Sequence, residues 1–146
     1  MQTATPAEGQ VSSTALESPS KAKTVTGWIL SGFIILSMLL DVAIHLAMPV
    51  QVLDAFRSLG LPNRMGPEIG VILLAAILIY AFPRTAVLGA VLLTGYFGGA
   101  ICTHLRSGST TFETVFPAIL GLIAWAGIYL REPRLSDVFP IRKNRD

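Results

Sequence analysis

Residues 66–105 read GPEIGVILLAAILIYAFPRTAVLGAVLLTGYFGGAICTHL, and this stretch decides the fold. It contains two apolar runs, 66–82 and 85–105, which only Pro83 and Arg84 separate. Proline ends a helix because it lacks the backbone N–H and clashes with the preceding turn. The spacing therefore predicts two helices that are joined by a tight turn and pack as antiparallel neighbours.

Two further apolar segments, 25–48 and 114–130, flank this pair. A helix needs about 20 residues to cross the hydrocarbon layer, with about 17 as the lower limit. The segments 25–48 and 85–105 satisfy this length, whereas 66–82 and 114–130 lie at the limit. The last three segments have almost no polar stripe, which argues against a soluble helical core. The sequence therefore predicts an all-α fold, a transmembrane four-helix bundle.

The composition agrees with a protein of the bilayer. Of the 146 residues, 52% are apolar and only 14% are charged, whereas an ordinary soluble domain has about 25% charged residues. The single cysteine excludes an intrachain disulfide framework and a cysteine-based zinc site. The basic residues are not interleaved with aromatic residues, so no nucleic-acid partner is predicted.

The connection between the first two spans has its own pattern. Apolar residues recur there at helical spacing, at Val50, Leu53, Phe56 and Leu59. This pattern predicts a short amphipathic helix on the membrane surface, between helices 1 and 2. A plain loop is the alternative.

The two ends of the chain are polar. Residues 1–22 are rich in Ser, Thr, Ala, Pro and Glu. Such a segment cannot bury enough surface to offset its ordering entropy, so we expect a disordered N-terminal tail. Residues 23–131 then form the transmembrane domain, and residues 132–146 form a basic cytoplasmic tail.

The basic residues predict the orientation. Cytoplasmic loops carry the excess of Lys and Arg under the positive-inside rule. Four passes place eight basic residues on one side of the membrane, namely Lys21, Lys23, Arg84, Arg131, Arg134, Arg142, Lys143 and Arg145. They place three on the other side, namely Arg57, Arg64 and Arg106. Both termini are therefore expected in the cytoplasm.

This topology brings the ionisable residues towards the outer face. The candidates for ligand binding or proton relay are Asp41, His45, Glu68, Tyr96, His104 and Arg106. A carboxylate within a transmembrane helix costs at least about 2.5–3.5 kcal/mol on insertion scales, so Asp41 must find a partner in the bundle. Its expected partners are His45, His104 and Arg106. The group is expected either to bind a ligand or to form a structural network between the first and third spans.

No compact metal motif and no nucleophile–base set accompanies these residues. The sequence therefore predicts no metal site and no catalytic residue, and it does not predict an enzyme that acts alone. The glycines of the third span form a separate pattern, because Gly95 and Gly99 make a G-x-x-x-G motif. Small residues let helices approach closely, so helix packing is predicted at Gly89, Gly95, Gly98, Gly99 and Gly121. A dimer interface or a ligand groove is the alternative.

Several motifs resemble the DoxX-like family of small bacterial membrane proteins. They are Pro83-Arg84-Thr85, Gly89-Ala90, Gly95-Tyr96-Phe97-Gly98-Gly99-Ala100 and His104-Leu105-Arg106. The resemblance covers residues 25–140 and implies a four-helix bundle in the bacterial inner (plasma) membrane. The founding DoxX and DoxD proteins are associated with quinone-linked oxidation of sulfur compounds. By analogy, the resemblance implies His104 and Arg106 as site residues and a quinone as ligand.

Three functions follow as hypotheses. The first is an accessory component of a membrane redox system that binds a small lipophilic, quinone-like ligand. Its partners would be the lipid bilayer, a membrane oxidoreductase subunit and further copies of the chain. The second is a small oligomeric proton-coupled transporter, since intramembrane Asp and His suit proton relays. The third is a purely structural membrane partner protein.

Overall fold

The computed structural model describes residues 21–132 and Leu135. Within these residues the chain forms five helices and no strand, which confirms the all-helical prediction. The helices are α1 (Lys21–Ala47), α2 (Val50–Ser58), α3 (Met65–Ala81), α4 (Ala86–Ser107) and α5 (Thr111–Arg131). The predicted tails over 1–22 and 132–146 lie almost entirely outside the described residues. Two residues of the expected N-terminal tail, Lys21 and Ala22, belong to α1.

Three of the helices are long and apolar enough to cross a membrane. They are α1 with 27 residues, α4 with 22 and α5 with 21. The apolar helix α3 is shorter, with 17 residues. The amphipathic helix expected between the first two long segments is present as α2, with nine residues.

Helix α5 begins earlier than the segment 114–130 indicates, because Thr110 caps it. The Glu113 backbone N–H donates to Thr110 Oγ1 (3.4 Å), and the Thr110 backbone N–H donates to the Glu113 carboxylate (2.9 Å). This capping box satisfies two N–H groups that otherwise lack partners at a helix start. The helix therefore reaches a length that spans a bilayer, and Pro117 lies in its interior.

Four helices lie side by side around a common core. Helix α1 packs against α3 and α5, and α4 packs against the same two helices. The fully buried core includes Ile34, Leu73, Leu93 and Ile128. The outward-facing positions are also apolar, for example Leu36, Leu40, Leu78, Phe82 and Leu122. A helix that is apolar all round is typical of a lipid-exposed segment, so this surface indicates a membrane protein.

Some glycines set the distance between helices, but not the ones in the G-x-x-x-G motif. A Cβ at Gly89 would overlap the backbone of Tyr80 on α3. A Cβ at Gly121 would make ordinary contact with Phe97, at 3.4 Å. At Gly95, Gly98 and Gly99 a Cβ would meet no atom within 4 Å. The predicted packing role of these three glycines is therefore corrected, since they bring α4 close to no other part of the described chain.

A second polar cluster lies at the opposite end of the bundle from Asp41. The sequence did not predict it. The Tyr80 hydroxyl donates to the Ala124 carbonyl (2.9 Å) and lies 3.3 Å from the fully buried Ser31 Oγ. Arg131 Nη2 donates to the Tyr80 carbonyl (3.1 Å), and its guanidinium lies 4.7 Å from the Trp28 ring centroid. These contacts join α1, α3 and α5.

Removal of the Tyr80 hydroxyl is expected to weaken this junction. Tyr80→Phe keeps the ring but loses the bond to Ala124 and leaves the buried Ser31 without its tyrosine neighbour. The free energy of unfolding should fall by about 1 kcal/mol, the usual net value of one hydrogen bond. Chemical unfolding in mixed micelles measures the change, and an unaltered midpoint would contradict the role.

Candidate ligand-binding site

A cavity of about 810 Å³ lies between the helices, in the half of the bundle that contains Asp41. All five helices contribute to its lining. Small-molecule sites in proteins have volumes of roughly 300–1,000 Å³ and apolar walls with a few polar groups. The walls here are mostly apolar and include Phe33, Met38, Ile69, Phe97, Phe116 and Leu120. The size and the lining are those of a site for a small apolar molecule.

Helix α2 contributes Val52, Ala55 and Phe56 to the lining of this cavity. Phe56 is buried, and its ring lies edge-on to the His45 ring with 5.8 Å between the centroids. Arg106 Nη2, from the end of α4, donates to the Leu59 carbonyl at the end of α2 (2.9 Å). Gly60 then turns the chain away with a φ of 68°, a conformation that favours glycine. Of the predicted apolar stripe, Phe56 and Leu59 therefore face the cavity, whereas Val50 is exposed.

The side chains of Asp41, His45 and Tyr96 form one polar cluster at the cavity wall, and we call them the triad. Tyr96 Oη donates to Asp41 Oδ2 at 2.6 Å, which connects α4 to α1. His45 Nδ1 donates to the Asp41 backbone carbonyl (2.9 Å) and lies 3.3 Å from Asp41 Oδ1. All three side chains are partly buried and line the cavity. The Asp41 carboxylate thus has two partners, Tyr96 and His45, as a carboxylate in a membrane-spanning helix would require.

The other three predicted residues lie apart from the triad. His104 lines the cavity, but its Nδ1 lies 3.0 Å from Ser109 Oγ in the loop before α5. Arg106 is exposed and binds the end of α2, as described above. Glu68 is exposed on the first turn of α3 and lies outside the cavity lining. On α4, His104 and Arg106 lie eight and ten positions beyond Tyr96, about 12 and 15 Å at 1.5 Å per residue, so both lie beyond the level of the triad.

The G-x-x-x-G motif borders the cavity. Gly95 and Gly99 both line it, whereas Gly98 does not. One turn beyond Gly99 on α4, the Thr103 hydroxyl donates to the Gly99 carbonyl (2.9 Å). Ser37 lines the cavity one turn below Asp41. The sequence allows three roles for the motif, namely helix packing, a dimer interface or a ligand groove. Its position at the cavity wall agrees with the ligand groove.

The site contains few side chains that could coordinate a metal ion. Across residues 21–132 and Leu135, no group of three or more His, Cys, Asp and Glu side chains could hold one. Asp41 and His45 are the only such pair in direct contact in that part of the chain. The chemistry that the arrangement supports is hydrogen bonding and proton exchange.

The comparison with protein families gives a match over most of the chain. A model of the DoxX-like family matches residues 29–127. The matched range contains α2, α3 and α4 in full and most of α1 and α5. The triad and the whole cavity lining lie inside it. Comparisons with curated proteins and with solved structures give no match.

Proposed function

Since the chain belongs to the DoxX-like family, as its motifs predicted, we propose that it binds a small lipophilic, quinone-like molecule as an accessory component of a bacterial membrane redox system. One observation carries this proposal. The cavity of about 810 Å³ is apolar except for the triad and a few further polar groups. A quinone has the matching form, because its ring and tail are apolar and its carbonyl oxygens accept hydrogen bonds.

The proposal includes four membrane passes. Helix α3 is about 26 Å long at 1.5 Å per residue, close to the hydrocarbon thickness of about 30 Å. It packs between α1 and α4, two helices that are long enough to span. Four passes direct both termini to the cytoplasm, where the excess of basic residues is expected. The triad then lies in the outer half of an inner membrane.

The exposure of several cavity-lining residues favours a ligand that enters from the lipid phase. Five lining residues are also exposed large apolar side chains, namely Phe33, Leu40, Ile44, Ile72 and Phe116. These positions connect the cavity lining with the apolar surface. A molecule dissolved in the bilayer reaches such a lining without crossing water. The same apolar surface is available to a membrane oxidoreductase subunit or to another copy of the chain.

Binding of a decyl-substituted benzoquinone tests the proposal. The full chain in detergent is expected to bind this probe at a one-to-one ratio, detected by native mass spectrometry and quantified by calorimetry. Asp41→Asn should weaken binding about tenfold, or about 1.4 kcal/mol. The reason is that the amide nitrogen cannot accept a hydrogen bond, so the bond from Tyr96 Oη or the contact with His45 is lost.

Asp54→Asn is the matched control for this variant. Asp54 carries the same group but lies on the exposed surface of α2, where its carboxylate meets Arg57 at 3.1 Å. It is expected to bind the quinone as tightly as the unmodified chain does. The proposal fails if the unmodified chain binds no quinone. Unchanged binding by Asp41→Asn together with a lowered melting temperature would identify the triad as a purely structural network.

A further inference from the structure

The triad holds the imidazole of His45 in one orientation. A carbonyl oxygen only accepts hydrogen bonds, so the 2.9 Å contact with the Asp41 backbone carbonyl requires a proton on Nδ1. The Asp41 carboxylate lies 3.3 Å from the same nitrogen, and the Phe56 ring packs edge-on to the imidazole. These contacts determine which of the two ring nitrogens remains for other partners.

That remaining nitrogen is Nε2, and it is open. No residue in the described part of the chain makes a hydrogen bond to it. Nε2 is also not fully buried. Among the described residues, the one fully buried side-chain nitrogen or oxygen without a hydrogen-bond partner is Arg131 Nη1, and not Nε2 of His45. His45 lines the cavity. A ligand in the cavity can therefore meet Nε2.

The neighbouring hydroxyl protons are already used. Tyr96 donates its proton to Asp41 at 2.6 Å, and Thr103 donates its proton to the Gly99 carbonyl at 2.9 Å. Ser37, one turn deeper, is the lining hydroxyl for which the described residues provide no bond. At the level of the triad, His45 is thus the group with a free hydrogen-bonding position.

We propose that His45 Nε2 binds the head group of the ligand, and that the site therefore takes both members of a carbonyl–hydroxyl pair, a quinone and its hydroquinone. Imidazole with a proton on Nδ1 alone accepts at Nε2, which suits a hydroxyl. With a second proton it donates from Nε2, which suits a carbonyl. The Asp41 carboxylate beside Nδ1 compensates the added charge. This inference rests on the proposed function.

Nitrogen NMR of the full chain labelled with ¹⁵N-histidine tests the inference. The chain has two histidines, His45 and His104, so the signals can be assigned with a single His104→Gln variant. Decyl-benzoquinone is expected to move the His45 Nε2 signal towards the protonated imidazolium position. Decyl-hydroquinone, kept reduced under argon, should hold the signal at the position of an unprotonated acceptor.

A binding series with His45→Phe completes the test. Phenylalanine keeps a ring beside Phe56 but has no nitrogen, so the affinities for the quinone and the hydroquinone should both fall about tenfold. Decylbenzene has the same tail and no oxygen, and its affinity should be equal for the two proteins. If His45→Phe does not fold, the NMR titration of the unmodified chain decides alone.

The outcomes separate this inference from the function on which it rests. If the unmodified chain binds neither the quinone nor the hydroquinone, the proposed function is wrong. If both bind but the Nε2 signal does not respond and His45→Phe retains both affinities, the inference is overturned and the binding function stands. Binding of only one member of the pair through Nε2 would also overturn the inference.

Discussion

Replacement of Gly89 by alanine is expected to lower the free energy of unfolding by about 3 kcal/mol, at the upper end of typical overpacking costs. The new Cβ would overlap the backbone nitrogen and Cα of Tyr80. Backbone atoms of a helix cannot move aside as a flexible side chain can, so α3 and α4 would have to separate. The higher helix propensity of alanine, about 1 kcal/mol, offsets only part of this cost.

Gly98→Ala is the control for Gly89→Ala. It makes the same change in the same helix, but a Cβ at Gly98 meets no atom within 4 Å. The free energy of unfolding should stay the same or rise by up to about 1 kcal/mol, because only the difference in helix propensity between glycine and alanine remains. Unfolding of both variants in mixed micelles provides the comparison. Equal effects at the two positions would contradict the close approach of α3 and α4 at Gly89.

Replacement of Gly99 by leucine should abolish most quinone binding. Gly99 lines the cavity, and a Cβ there meets nothing within 4 Å. A leucine side chain therefore has room to project into the space that the ligand needs. We expect the affinity for decyl-benzoquinone to fall more than about tenfold, equivalent to about 1.4 kcal/mol. The melting temperature should change little, because no existing contact is displaced.

Gly98→Leu is the matched control for Gly99→Leu. Gly98 is equally open but lies outside the cavity lining, so its leucine variant should bind the probe normally. Calorimetric titrations of both variants make the comparison. If Gly99→Leu binds as tightly as the unmodified chain, the cavity is not the binding site. A changed oligomer size in both variants, measured by native mass spectrometry, would instead favour the dimer interface that the G-x-x-x-G motif also allows.

Part of the site is readable from local spacing. Asp41 and His45 are one helical turn apart, so the sequence places both on one face of α1. The cost of a carboxylate in a membrane then requires a partner for Asp41. The depth of Tyr96 on α4 made it a candidate, and the structure brings its hydroxyl to Asp41. Energetic need and helical period together therefore predict the contact of Asp41 with His45. The partners expected on α4 were His104 and Arg106, and the structure places Tyr96 there instead.

Arg106 shows what the topology leaves undetermined. It has the right charge to meet Asp41 and lies towards the same end of α4 as Tyr96, and yet it binds the Leu59 carbonyl at the end of α2. It lies ten positions beyond Tyr96, which is about 15 Å along the helix at 1.5 Å per residue. Its backbone therefore lies well beyond the level at which α4 meets Asp41. The topology places both residues towards one end of the bundle but does not specify which of them reaches Asp41.

The junction of Ser31, Tyr80 and Arg131 had no signal in the sequence. These residues come from three helices and are separated by about 50 positions each. No local period connects them, and each has an ordinary interpretation alone, as a small polar residue, an aromatic residue and a basic residue near a membrane surface. Their contact arises only when α1, α3 and α5 pack together.

Apolar content, proline positions and the spacing of Asp41 and His45 were sufficient to predict a helical membrane protein, the turn at Pro83 and the core of the triad. The cavity, the contribution of α2 to its lining and the position of the glycine motif on its wall required the packed helices. The physical reason is that these helices are apolar nearly all round. An amphipathic helix has a polar stripe that specifies which side faces its neighbours, whereas an all-apolar helix leaves its rotation to side-chain fit with distant parts of the chain.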